Sequence, residues 1–70
     1  MKKHVLRGKI IEHGMTVGEF CKRTGFVRST FDRKLNGQAE FNRDEICRII
    51  HELDLTADET RNIFFTDEVS

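Results

Sequence analysis

Three short signals in this chain fix the starts of helices, and they constrain the fold more than any other feature. Each signal is a Thr or Asn followed three residues later by Glu, at residues 16–19, 42–45 and 56–59. This is the spacing of a capping box, in which two side chains satisfy backbone amides at a helix N-terminus. No segment shows the alternating apolar pattern of a strand. The sequence therefore predicts an all-α protein.

Apolar spacing and glycines divide the chain into five predicted helices. They lie at about residues 3–13, 16–25, 28–36, 42–53 and 56–65, and residues 66–70 are expected to fray. The fourth helix has the strongest amphipathic pattern, since apolar residues recur at i, i+3, i+4 and i+7. Those residues are Ile46, Ile49, Ile50 and Leu53.

The start of the third helix is open to two interpretations. Val27 stands where a Ser or Thr cap is expected, and a poor cap can cost about 1 kcal/mol. Alternatively, Ser29 caps a shorter helix with Asp32 as its box partner, which leaves Arg28 outside the helix. We favour the longer helix, because it lets both Phe26 and Phe31 reach the core.

Length and composition predict one small domain, residues 1–70, in the cytoplasm. A chain of 70 residues buries only about 60% of the surface that it exposes when unfolded. Met-Lys-Lys at the start is not followed by an apolar run, so a secretory signal is not expected. No stretch approaches the roughly 18 apolar residues of a membrane span.

The sequence offers no site for a metal, a cofactor or an enzymatic reaction. Cys21 and Cys47 are too few for a disulfide framework, and both fall on predicted apolar stripes. Cys47 and His51 form an i, i+4 pair with His13 available, but the paired short spacings of a zinc site are missing. No catalytic or phosphate-cradling motif occurs. We therefore expect no cofactor and no enzymatic activity.

Charge is divided sharply between the two halves of this neutral chain. Residues 1–37 hold nine Lys or Arg against three acids, and residues 38–70 hold three Arg against nine acids. The halves therefore carry +6 and −6. Such a division permits one positive face suited to nucleic acid, although the halves could instead neutralise each other in the fold.

Residues 16–37 read as two short helices joined through Gly25, which is the helix-turn-helix arrangement. In the second of these helices Phe31 and Leu35 form the apolar side. The polar residues of the same helix are then left facing away from the core. Double-stranded DNA is the partner that this arrangement predicts.

The chain resembles the repressor-type (Cro/CI-like) helix-turn-helix proteins of phages and bacteria, over about residues 6–65. The most specific likeness is G-F-V-R-S-T-F-D-R-K-L-N-G at residues 25–37. L-R-G-K-I-I-E, K-L-N-G and I-F-F-T-D-E-V resemble a short phage and prophage branch of regulators. The resemblance implies a compact five-helix, lambda-repressor-like DNA-binding domain. It also implies a homodimer in the bacterial cytoplasm, associated with the nucleoid, on an operator with two half-sites.

The resemblance also assigns roles to particular positions. Arg28 and Ser29 fall where the family's first base-reading side chains lie, and Arg33 lies one helical turn further on. Asp32 could accept from cytosine N4 or brace Arg28 as an i, i+4 pair. The base-reading candidates are Arg28, Ser29, Asp32 and Arg33. The phosphate-contacting candidates are Thr16, Thr30, Asn36, Gln38, Asn42 and Arg43, and the dimer-interface candidates are Phe64 and Phe65.

Some positions depart from the family pattern. Val17 replaces a frequent glutamine, and Glu40 places an acid in the loop expected to approach phosphate. Ile10 and Leu35 replace a buried Arg–Glu pair, and such a hydrophobic replacement can be neutral or stabilising.

A protein-interaction module, antirepressor-like or antitoxin-like, is the alternative function, with the acidic C-terminal half as the contact surface. A continuous face of Arg28, Arg33 and Lys34 with Lys22 or Lys9 favours DNA. Interruption of that face by Glu12, Glu40 and Asp32 favours the alternative.

Overall fold

Five α-helices make up the part of the chain that the structure, a computed structural model, describes, residues 1–65. They are α1 (Lys3–Glu12), α2 (Val17–Thr24), α3 (Arg28–Leu35), α4 (Arg43–Leu53) and α5 (Ala57–Phe64). No strand occurs within those residues. The prediction of an all-α, five-helix chain is confirmed, while the predicted fraying of residues 66–70 lies outside the described residues.

Capping boxes start α2, α4 and α5, as the sequence predicts. At α2 the Thr16 hydroxyl accepts from the Glu19 amide at 3.1 Å, and the Glu19 carboxylate accepts from the Thr16 amide at 2.8 Å. The same reciprocal pair forms between residues 42 and 45 and between residues 56 and 59. Each box satisfies two backbone amides that would otherwise lack an acceptor.

The core draws residues from all five helices and is rich in phenylalanine. Its buried apolar members are Leu6, Ile10, Met15, Phe20, Cys21, Phe26, Phe31, Leu35, Ile49, Leu53, Leu55 and Ile63. Phe31 lies at the centre of an aromatic cluster, with ring centroids 5.7, 5.2 and 5.6 Å from Phe20, Phe26 and Phe41. Ile10 and Leu35 are both buried here, so these two positions serve the core as apolar residues.

The prediction that Cys47 lies on the apolar stripe of its helix is wrong, because its side chain is exposed. On α4 the buried residues Glu45, Ile49 and Leu53 define the inner side. At 100° per residue, position 47 lies about 160° from Ile49, on the outer side of the helix. Cys21 is buried as expected, and burial raises the pKa of its thiol.

Candidate nucleic-acid interface

The turn between α2 and α3 sets the direction of the candidate interface. Gly25 adopts the left-handed conformation, with φ of 83°, and its amide donates to the Cys21 carbonyl at 2.9 Å. Phe26 then turns inward to the aromatic cluster, and Val27 is extended. The left-handed region favours glycine, so Gly25 allows the chain to change direction in the three residues between α2 and α3.

α3 begins at Arg28 with Val27 at its N-cap, which is the longer of the two predicted helices. Val27 makes no side-chain capping bond. The Ser29-capped alternative is therefore not adopted. The Phe31 amide donates to the Val27 carbonyl at 2.9 Å, which is the first bond of the longer helix, and the Phe26 and Phe31 rings are in contact with centroids 5.2 Å apart.

The base-reading candidates form two rows along α3. Ser29 and Arg33 are one turn apart and both exposed. Arg28 and Asp32 are also one turn apart, with side chains 57% and 41% exposed. Phe31 and Leu35 are buried against the core. The structure thus leaves all four candidates accessible to a partner.

Asp32 braces Arg28, which is one of the two roles that the sequence leaves open for it. The Arg28 Nε donates to the Asp32 carboxylate oxygens at 3.2 and 3.3 Å. The terminal amino groups of the guanidinium remain for a ligand. One of them, Nη1, extends over the start of α2, where a Cβ added at Gly18 would lie 3.4 Å away. Arg28 is therefore oriented by its own helix and lies close to the preceding one.

The phosphate-contacting candidates differ in how many of their groups are available. The side chains of Thr16 and Asn42 serve their capping boxes, and the Asn36 Oδ1 accepts from the Lys3 Nζ at 3.4 Å. Gln38 and Arg43 are exposed, and Thr30 is half-buried. The amides of residues 36–38 donate to carbonyls of α3. The amides of residues 36–38 are therefore occupied within the protein.

Ion pairs between the two halves make the positive surface smaller than the charge division suggests. Among residues 1–65, three such pairs occur: Lys9–Glu59, Arg23–Glu52 at 3.6 Å and Lys34–Glu45 at 2.6 Å. Lys9 and Lys34 therefore do not extend a continuous basic face, the feature that would favour DNA, because each is held against an acid of the other half. Part of the charge is neutralised within the fold.

Lys22 and Arg33 keep their charge at the surface. Both are exposed, and no acid of residues 1–65 lies within 4.0 Å of either. Glu40 is also exposed, in the loop between α3 and α4. Within α2 and α3, Lys22 and Arg33 are therefore the exposed cations with no acid of residues 1–65 nearby, whereas Arg28 is paired to Asp32.

The Lys34–Glu45 pair ties the end of α3 to the start of α4. The Lys34 Nζ donates to both Glu45 carboxylate oxygens at 2.6 Å, and the side chains are only 16% and 11% exposed. Burial by itself would raise the pKa of Glu45. Hydrogen bonds from Lys34 and from the Asn42 amide outweigh that effect, so the pKa of Glu45 is lowered. Glu45 thus combines a capping role with a bridge between helices.

Arg48 is a positioning residue that the sequence reasoning missed. Its Nη1 donates to the Thr24 carbonyl at 2.9 Å, at the C-terminus of α2. Its guanidinium carbon lies 5.0 Å from the centroid of the Phe26 ring, within cation–π range. The contact spans 24 residues of sequence, so no local pattern could have indicated it. Arg48 therefore stabilises the turn between α2 and α3, which sets the orientation of α3.

Replacement of Arg48 tests this role through stability. We expect Arg48→Ala to lower the free energy of unfolding by about 2 kcal/mol, because a hydrogen bond from a charged donor and a cation–π contact are both lost. Urea unfolding followed by circular dichroism measures the change. The matched control is Arg43→Ala on the same helix, which should stay within about 0.5 kcal/mol of the original chain. Equal losses in the two variants would contradict the assignment.

A groove of about 690 Å³ lies beside the end of α3. Phe41, Phe64 and Phe65 line its apolar part, with Lys3 and His4 at its edge. Phe64 is half-buried and contacts Phe41 with a centroid distance of 6.1 Å, whereas Phe65 is 66% exposed. Of the two dimer-interface candidates, Phe64 therefore serves mainly the core, and Phe65 is the accessible one.

Residues 1–65 contain neither of two further kinds of feature, a metal-ligand group and a membrane-spanning helix. That part of the chain contains no group of three or more His, Cys, Asp or Glu side chains placed to hold a metal ion. None of its helices has the length and apolarity needed to cross a membrane.

Comparison with known proteins gives a family but no established function. The model of a family described as "Protein of unknown function (DUF739)" matches residues 3–67. No curated protein and no solved structure matches the chain. Because the matched region covers nearly the whole sequence, the chain belongs to the DUF739 family.

Proposed function

We propose that this protein is a sequence-specific DNA-binding transcriptional regulator of the phage and prophage type. In this proposal the domain is lambda-repressor-like, and α2 and α3 form its helix-turn-helix. The observation that carries the proposal is the two-sided character of α3. Phe31 and Leu35 anchor one side in the core, while Ser29 and Arg33 remain exposed on the other.

The dimensions of α3 suit the major groove. An α-helix with its side chains is about 10–12 Å across, and the major groove of B-DNA is about 12 Å wide, so α3 (Arg28–Leu35) can enter the groove. Arg33 has no acid of residues 1–65 beside it, so its guanidinium can donate two hydrogen bonds to O6 and N7 of guanine. Arg28 can do the same with its terminal amino groups while Asp32 holds its Nε. We therefore expect at least one G·C pair in each half-site.

Phosphate contacts complete the proposed interface. Free backbone amides at the N-termini of α2 and α4 are natural phosphate donors, and Arg43 lies at the second of these positions. Lys22 adds positive charge. Glu40 opposes phosphate, and Lys9 and Lys34 are committed to internal pairs. We expect a limited number of phosphate contacts and binding that weakens as salt rises.

We further propose that the protein acts as a homodimer on the bacterial nucleoid. A small domain gains stability and affinity from association, and two-fold proteins read half-sites about 34 Å apart. The exposed ring of Phe65 supports a contact at this end of the molecule. Sedimentation showing only monomer at micromolar concentration, with and without DNA, would count against the dimer.

Selection of DNA from a random pool tests the proposal. The original chain should enrich a motif that contains a G·C pair. Arg33→Ala should weaken binding to that motif by about 5- to 150-fold and relax the preference at one base pair, because one bidentate contact contributes about 1–3 kcal/mol. Arg28→Ala should act in the same way at a second base pair. Weak, salt-sensitive binding should remain in both variants.

The control for this selection is Arg7→Ala on α1. Arg7 is exposed, and no acid of residues 1–65 lies within 4.0 Å of it, so its charge matches that of Arg33. The Arg7 variant should enrich the same motif as the original chain. Binding that is indifferent to changes from G·C to A·T across the half-site would contradict base reading by α3.

A second candidate function, an antirepressor-like or antitoxin-like interaction module, is favoured by Phe65. This exposed ring borders both the groove beside α3 and a shallower surface between α4 and α5. Under this alternative, Phe65→Ala abolishes association with a protein partner, and the chain enriches no DNA motif. Under the DNA proposal, Phe65→Ala leaves the enriched half-site unchanged and affects only the dimer.

A further inference from the structure

Val27 presents an apolar side chain to solvent at the edge of the proposed interface. It is 65% exposed, and the chain around it is extended, with φ of −74° and ψ of 128°. Successive side chains of an extended segment point to opposite sides. Because Phe26 points into the core, Val27 points outward, on the side from which α3 meets a partner.

Local stability does not account for valine at this position. Thr16, Asn42 and Thr56 all cap their helices, whereas Val27 makes no capping bond. Threonine has nearly the same shape as valine and would supply the missing acceptor. The core does not account for it either, since the side chain lies mostly outside. Both methyl groups of Val27 are available for contact with an apolar group of a ligand.

We propose that Val27 packs against the 5-methyl group of a thymine in the major groove, beside the base pair that Arg28 reads. This inference rests on the proposed function. Thymine is the base that presents a methyl group in that groove. An extended residue advances the chain by about 3.3 Å, close to the 3.4 Å step between base pairs. In the proposed complex, the side chain before Arg28 can therefore lie over the base pair next to the one that Arg28 reads.

The test removes the methyl group from the DNA. Each thymine of the sequence enriched by the original chain is replaced in turn with deoxyuridine, which keeps base pairing and loses only the 5-methyl group. One replacement, within one or two base pairs of the position assigned to Arg28, should weaken binding about fourfold, the factor that corresponds to burial of one methylene-sized group. The other replacements should have smaller effects.

Variants of Val27 identify the protein side of the contact. Val27→Ala should bind the thymine and deoxyuridine sequences equally at that position, while it keeps the preference at the base pairs read by Arg28 and Arg33. Val27→Thr retains one methyl group and gains a capping hydroxyl, so it should keep part of the discrimination and stay fully folded. Circular dichroism of both variants confirms that binding is measured on folded protein.

Two results would overturn the inference, and they are distinguishable. If a motif is enriched but no deoxyuridine effect is found, or if Val27→Ala shows the same effect as the original chain, the thymine contact is wrong and DNA recognition stands. If no motif is enriched, the proposed function fails, and if Arg28→Ala and Arg33→Ala leave an enriched motif intact, base reading by α3 fails; the inference fails in either case.

Discussion

Phe31→Ala is expected to lower the free energy of unfolding by about 4 kcal/mol, the largest effect of any single substitution considered for this protein. The Phe31 ring has no exposed surface and contacts three other phenylalanines. Truncation of a buried phenylalanine typically costs about 3–5 kcal/mol through lost transfer energy and the cavity that remains. A domain of this length has a total stability of only about 4–10 kcal/mol. A loss of about 4 kcal/mol therefore removes from about two-fifths to all of that stability.

Thermal and urea unfolding, followed by circular dichroism at 222 nm, measure this loss. The matched control is Phe65→Ala, which removes the same ring from a site that is 66% exposed. It should change the stability of the monomer by less than about 1 kcal/mol, because most of the ring is already in water. A Phe31→Ala protein that unfolds at the same urea concentration as the Phe65→Ala protein would show that the aromatic cluster does not hold the core.

Lys34→Met is expected to cost about 3 kcal/mol, the second largest effect. The substitution keeps much of the side chain's volume but leaves the Glu45 carboxylate, which is only 11% exposed, without its cation. Removing one partner of a buried ion pair typically costs about 3–5 kcal/mol. The remaining exposure of both side chains and the capping amide that still binds Glu45 place this case at the lower end. Urea unfolding of the variant beside the original chain measures the loss.

The double variant Lys34→Met/Glu45→Gln is the control for that prediction. Glutamine can keep the capping box with Asn42, and no buried charge is left unpaired, so most of the lost stability should return. A double variant that is less stable than Lys34→Met would show that the carboxylate is required for capping and that the ion pair is secondary.

The Lys34–Glu45 ion pair should also make the stability of the protein depend on pH in the acidic range. Because the pKa of Glu45 is lowered in the folded protein, its stabilising contribution is present above the unfolded pKa of about 4.3. This contribution is lost as pH falls through the folded pKa. The original chain should therefore lose stability as pH falls below about 4.3. Lys34→Met should lose less over the same interval. Parallel pH profiles for the two proteins would mean that Lys34 does not lower the pKa of Glu45.

The starts of the helices were predictable because their causes are local. A capping box lies within four residues, so the sequence signals at 16–19, 42–45 and 56–59 each became a helix start. The start of α3 has no such signal. It was predicted only through the expectation that Phe26 and Phe31 both reach the core, which their 5.2 Å contact confirms.

The electrostatic part of the candidate site was not predictable in the same way. The net charges of the two halves of the chain indicated that a positive face was possible. They did not indicate which Lys or Arg side chains would form ion pairs within the protein. The partners of Lys9 and Lys34 lie 50 and 11 residues away along the chain. Arg48 contacts a carbonyl 24 residues before it. Pairings of this kind depend on how helices pack against each other, and no sequence window contains that information.

The side chains that attach α3 to the rest of the protein are different from the ones that it exposes. This separation has a consequence for how the sequence of such a domain can evolve. Phe31 and Leu35 attach the helix to the core, and Lys34 attaches it to α4, while positions 28, 29 and 33 take no part in that attachment. Substitutions at those three positions therefore escape most of the selection that acts on folding. Under the proposed function, a lineage that carries this scaffold can therefore acquire a new DNA preference one residue at a time and remain folded at every step.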